Sequence, residues 1–120
     1  MTSNKNRSIH FRLGCALAGI RSAVKSEHSM RVHAGAAALV VFALLLLRPA
    51  PAWWALAGLA ISGVIGAELF NTALERLADH LHPELHAEIR VVKDCAAAAV
   101  LVLTAGALCV AAAFVVSTLT

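Results

Sequence analysis

Three runs of the chain carry no Asp, Glu, Lys or Arg: residues 34–47, 49–67 and 95–120. Uncharged runs near twenty residues are the length that crosses a bilayer as a helix. The first run is short for a crossing, so its helix is expected to start before it. A lipid-exposed backbone must satisfy its own hydrogen bonds, which leaves helices or a closed barrel. A barrel shows alternating polarity in short segments, whereas these runs are continuous. In 120 residues, 60% of them hydrophobic, there is neither room for a separate soluble domain nor polar surface to cover one. The expected fold is an all-α membrane protein, one domain over 1–120, with three transmembrane helices.

The spans are placed at 30–47, 52–78 and 83–117, the last including an interfacial turn. Arg48-Pro49-Ala50-Pro51 ends the first, because two prolines this close interrupt a helix. Trp53 and Trp54 follow at the level of an aromatic belt. Pro83 is assigned to the first turn of the third helix, a position that tolerates proline. The first span is no signal peptide: about thirty polar residues precede it, Arg48-Pro49 follows it, and two more spans come after. Residues 1–29 form a cytoplasmic arm, in which 1–8 are a basic tail and the remainder an amphipathic surface helix. Phe11, Cys15, Ala18, Ser22 and Lys25 make one stripe of that helix, with Leu13, Leu17, Ile20 and Val24 beside it and Arg12 and Arg21 within reach of headgroups.

Orientation follows from Lys and Arg. Residues 1–33 carry Lys5, Arg7, Arg12, Arg21, Lys25 and Arg31, and the second connection carries Arg76, Arg90 and Lys93. The first connection has Arg48 alone. The N-terminus is therefore expected in the cytoplasm of a bacterial inner membrane, with the C-terminus outside. All seven acids and all six histidines fall on the same cytoplasmic half. Positive charge alone sets topology, so the acids there point to chemistry.

Glu68 is the sharpest signal, an ionisable group with nineteen charge-free residues before it. Such groups inside a span are expensive and mark function. Asn71, Glu75 and Asp79 follow it on one helical face, within about 80° at 100° per residue. Three carboxylates on one stripe repel unless a cation or a proton joins them. Mg²⁺, which takes one or two carboxylates together with substrate phosphates, is one solution; shared protons are another. Against this stands a plain reading of Glu75 and Asp79 as interfacial charges, with Arg76 paired locally. Lys93 by itself reads as a snorkelling anchor, but Asp94 beside it adds little to an anchor. Gly58, Ser62 and Gly66, with Gly63 alongside, make a small-residue face for helix packing. No GxxxxGK occurs, which excludes a P-loop. His80, His82 and His86 do not complete a zinc ligand set. Cys15, Cys95 and Cys109 have no paired spacing and are read as small apolar residues.

Glu68-Leu-Phe-Asn71-Thr-Ala-Leu-Glu75-Arg-Leu-Ala-Asp79 resembles the ExxNxAxExxxD motif of the prokaryotic diacylglycerol kinase family, which includes undecaprenol kinases. Lys93-Asp94 with Ala97-Ala98-Ala99-Val100-Leu101 resembles that family's KDxxAAAVL segment. Ala16 to Arg21 and Glu27 to His33 are similar to its AxxG[IL][RK] and Exx[FM]Rx[HE] elements. The resemblance runs over about residues 15–115, without gaps. It implies a homotrimer with active sites between subunits at the cytoplasmic interface, and ATP and a membrane lipid as partners, with no nucleic acid. By position it makes Glu68 the general base on the lipid hydroxyl, and Glu27 and Glu75 the ligands of Mg²⁺ with ATP. Asn71 orders the site and Asp79 supports it. Lys93 and Asp94 contact the nucleotide's phosphates and sugar, and Glu84 and His86 touch ATP from the loop. His33 stands where one branch carries Glu, and His there looks more like the undecaprenol kinase branch. The N-terminal ten residues match poorly.

The function expected is ATP-dependent phosphorylation of a lipid alcohol, first diacylglycerol to phosphatidic acid and alternatively undecaprenol. Phosphoryl transfer asks the protein for a positioned metal, a cation and a group that takes the hydroxyl proton, and these residues supply them. A different class, a proton- or cation-translocating subunit titrating Glu68, leaves Lys93, Asp94 and the interfacial acids without work. A purely structural membrane protein has no need of Glu68 or Asn71.

Overall fold

The computed structural model describes residues 8–120; Lys5 and Arg7 of the basic arm lie outside the described residues. Four helices follow one another: α1 (Ile9–Ser26), α2 (His28–Leu47), α3 (Pro51–Leu81) and α4 (Ala87–Leu119). The described residues are all-helical apart from short connections. The three helices α2, α3 and α4 are each long and apolar enough to cross a membrane.

Local chemistry explains the boundaries. Ser8 caps α1 by accepting a hydrogen bond from the Phe11 amide at 3.3 Å, satisfying one of the free donors of a helix start. The chain breaks between α1 and α2 at Glu27, whose backbone is extended (φ −116°, ψ 118°). Arg48 ends α2 in the left-handed region (φ 48°, ψ 57°), its amide bonded to the Leu44 carbonyl. Pro49 cannot extend that helix, and Pro51 then opens α3, where its missing N–H is harmless. At the other end of α3 the helix continues to Leu81, three residues past its expected end. Pro83 is not in the first turn of the last helix. It lies in the connection, and α4 begins only at Ala87, capped by His86, whose Nδ1 accepts from the Glu88 amide at 3.1 Å. The free imidazole acceptor takes the capping position and leaves proline outside.

Packing is centred on α3. It lies along α4 over most of its length, touches α2 over a shorter stretch, and meets α1 near its charged end. At the far end, the Trp53 and Phe114 rings meet edge to face with centroids 5.3 Å apart. The core is thin: Met30, Leu44, Val64 and a few alanines are its buried apolar residues. Leu13 and Leu17 of α1 and most large side chains of α2 and α4 face outward, as suits lipid contact. Gly63 approaches Leu103, while a side chain at Gly58 or Gly66 would meet nothing. The small-residue face is thus only partly used within one chain.

Candidate functional site

The length of α3 sets the depth of its polar residues. Its 31 residues span about 46 Å at about 1.5 Å per residue, against a hydrocarbon core of about 30 Å. With Trp53 at an interface, as the sequence leads one to expect, Glu68 lies about 22 Å up the helix, within the thickness of the core. Glu75, about 33 Å up, sits at the polar boundary, and Asp79 stands beyond it. Glu68 is 3% exposed, the most buried charged residue among those described. Its carboxylate is met from α2 on both oxygens. Ser29 Oγ donates to Oε2 at 3.1 Å, and His33 Nε2 lies 3.2 Å from Oε1. Buried carboxylates persist only with such partners.

The remaining acids of the stripe are compensated one by one. Asn71 Nδ2 makes a long, 3.5 Å hydrogen bond to Glu75 Oε1. Asn71 Oδ1 is buried without a partner, where the residue lines a groove between α3 and α4 with Gly66, Ala96 and Ala99. Lys93 Nζ of α4 donates to Asp79 Oδ1 at 2.5 Å. The shared face therefore divides between two neighbours: Glu68 turns to α2, while Asp79 turns to α4. Side chains on one stripe of a long helix need not share one partner, because the helices around it cross it at different heights.

The plain reading of Arg76 as locally paired is wrong. Its guanidinium reaches across to α1, where Nη1 donates to Ser22 Oγ at 2.8 Å and Nη2 to the Ser22 carbonyl and to Ser26 Oγ. Arg31 of α2 closes the same corner, its Nη1 donating to the carbonyls of Val24 (2.9 Å) and Lys25 (3.0 Å). The last carbonyls of a helix lack internal donors; Arg31 donates to two of them, while Arg76 clasps the last turn mainly through its serine hydroxyls, and together they hold the bend at Glu27. The Glu27 carboxylate makes no capping bond to α2, and the residue is half-buried at that bend. Neither Ser22, Ser26 nor Ser29 stands out in the sequence. Their roles depend on the angle at which α1 and α2 meet α3.

Among the other expected site residues, Glu84 and His86 are exposed in the connection before α4. His86 caps that helix and stacks edge-on with His82, ring centroids 5.2 Å apart. Asp94 is exposed and lies only within 4.0 Å of Arg90, a loose surface pair. The structure thus joins Glu68 to α2, Asn71 to Glu75, and Asp79 to Lys93, and leaves Glu27, Glu84 and Asp94 on the same charged end without mutual bonds among the described residues. No three His, Cys, Asp or Glu side chains gather into a metal-holding cluster among the described residues. The three cysteines are free and exposed.

The family model described as prokaryotic diacylglycerol kinase matches residues 14–115. The chain is also similar to an undecaprenol kinase from Bacillus subtilis (strain 168), with 33% identity over 84 residues, covering 70% of this chain and 68% of that protein.

The corner held by Arg76 has a direct readout. Arg76→Ala removes the donors from α1, and charge-assisted bonds contribute about 1.5 kcal/mol or more each when shielded, less at a surface. Hydrogen–deuterium exchange at residues 20–27 is expected to rise about tenfold, with the interior of α4 unchanged. Equal exchange in wild type and variant would mean that the clasp does not hold α1.

Proposed function

The chain belongs to the prokaryotic diacylglycerol kinase family, and on that premise we propose that it carries the terminal phosphoryl group of ATP to the hydroxyl of undecaprenol at the cytoplasmic face of a bacterial inner membrane. It is a membrane lipid kinase, with a lipid and ATP as its substrates. The observation that carries the transfer chemistry is the buried Glu68 carboxylate, two turns before Glu75 at the charged end of α3. A lipid alcohol presents its hydroxyl near this depth, and a nucleotide stays above it. Undecaprenol is favoured by the name of the similar Bacillus protein and by His33 at the position where one branch of the family has Glu. Diacylglycerol, the first expectation from the sequence, is the second reading, and the family's own description supports it.

In this reading each residue acts on a stated atom. Glu68 takes the proton of the lipid hydroxyl as its oxygen attacks the γ-phosphorus and the bond to the β,γ-bridging oxygen breaks, leaving ADP. Lys93 and Asp94 meet the phosphates and sugar of the nucleotide, with Asp79 holding the Lys93 ammonium at the membrane edge. Glu84 and His86 border the nucleotide from the connection. Asn71 orients Glu75. The donors fit Mg²⁺ in kind: they are carboxylate oxygens, and this ion takes one or two carboxylates plus substrate phosphates. Glu27 and Glu75 would hold it. When bound, it would neutralise charge on the phosphates. The cytoplasmic orientation is supported by the Lys and Arg of the charged end, where ATP is available.

A homotrimer is supported by the thinness of one chain. Among the described residues the buried core is thin, and Gly58 and Gly66 offer open space for a neighbouring helix. Cross-linking the purified protein in detergent is expected to give a three-chain species, and a monomer with full activity would contradict it.

Two measurements test the chemistry. Undecaprenol and diacylglycerol offered side by side in mixed micelles are expected to differ by about tenfold or more in kcat/KM, in favour of undecaprenol; the reverse order would install diacylglycerol. Glu27→Ala and Glu75→Ala are each expected to raise the Mg²⁺ concentration needed for half-maximal activity about tenfold or more. An unchanged Mg²⁺ requirement in the surviving enzyme would remove them as ligands.

A further inference from the structure

Both groups that meet the Glu68 carboxylate come from one face of α2, Ser29 and His33 being one turn apart. A glutamate side chain has three rotatable torsions, and a base must be held to within about 0.5 Å of its working position. The α3 backbone alone does not do this. A carboxylate has about four lone-pair sites; Ser29 uses one on Oε2 and His33 one on Oε1, so each oxygen keeps a site. The His33 side chain is 22% exposed and that of Glu68 4%, so the imidazole stands at the mouth of the burial and closes it.

We propose that His33 is a positioning residue for phosphoryl transfer: its Nε2–H donates to Glu68 Oε1 and, with Ser29, fixes the carboxylate with a lone pair left for the hydroxyl proton. This rests on Glu68 acting as the base. The competing role for an imidazole here is to carry the proton away. That role needs an acceptor beyond the ring, and the substitutions below separate it from a hydrogen-bond role. The hydrogen-bond role needs only the N–H that faces Glu68.

The two roles separate by substitution. The amide nitrogen of glutamine lies as many bonds from Cβ as the Nε2 of histidine, so His33→Gln keeps the donor and loses the proton carrier; His33→Leu loses both. In purified protein in mixed micelles, His33→Leu is expected to lower kcat about tenfold to a hundredfold with the KM for ATP little changed. His33→Gln is expected to recover most of the loss, and Ser29→Ala to show a smaller fall in kcat. In a Glu68→Gln background, His33→Leu should add no further loss. If His33→Gln is as slow as His33→Leu while eluting as the same folded species, the ring carries the proton and the positioning role is overturned. Multiplicative losses in the double variant would also overturn it, since His33 would then act apart from Glu68. Wild-type turnover by Glu68→Gln alone would instead overturn the base assignment itself. Should His33→Leu fail to fold, His33→Gln and Ser29→Ala carry the test: wild-type kcat in Ser29→Ala together with loss in His33→Gln contradicts positioning.

Discussion

A carboxylate buried at membrane depth is tolerable only where protein replaces water around it. In this chain the replacement is a hydrogen-bonded contact between α2 and α3, with Ser29 and His33 on one side and Glu68 on the other. Much else is arranged around that contact. α2 must run beside α3 at the height of its first two turns, so the bend at Glu27 must place it there. α3 must extend beyond the hydrocarbon, so that the acids following Glu68 emerge at the boundary instead of remaining in lipid. The thin apolar packing below, from Met30 and Leu44 to Val64, keeps the helices at that spacing. Lipid offers no hydrophobic drive to bring helices together, and polar contacts of this kind therefore weigh more in specifying register.

The charged end is built from separate pairs, not from one pooled cluster. Asp79 holds Lys93 across α3 and α4, Arg76 and Arg31 complete the end of α1, and Asn71 bonds Glu75. Each pair ties two elements or two turns. Together they fix the corner that carries Glu27 relative to the helix that carries Glu75, without joining the two acids. Both carboxylates stay on the same charged end, as the proposed Mg²⁺ site requires. The proposed phosphoryl transfer uses this division: Glu68, buried, as the base, and the charged end with Lys93 for the phosphates.

Much of this was legible in the residues. The charge-free runs pick out the three helices long and apolar enough to cross a membrane, and Glu68 stands out as an ionisable group after nineteen uncharged residues. The amphipathic helix before them was equally visible. Boundaries followed less well. Pro83 was placed in a helix by a general preference, but His86 supplied the stronger local cap. The plain alternative of a locally paired Arg76 fails because its partners, Ser22 and Ser26, lie some fifty residues away and the approach of α1 is a tertiary fact. Ser29 is hidden in the same way, 39 residues from Glu68, while His33 is visible only as an unusual residue whose target the sequence does not give. Periodicity put Glu68, Asn71, Glu75 and Asp79 on one face; it did not tell which neighbour each would meet.

The most direct test is to separate nucleotide binding from transfer in a single variant. Glu68→Gln preserves the size of the side chain and its ability to receive Ser29, but takes no proton from a lipid hydroxyl. In purified, correctly assembled protein, ATP binding measured by equilibrium titration should match wild type, while phosphate transfer from ATP to undecaprenol falls by about a thousandfold or more. Transfer within a few-fold of wild type, at equal ATP affinity, would contradict the role of Glu68 as the base.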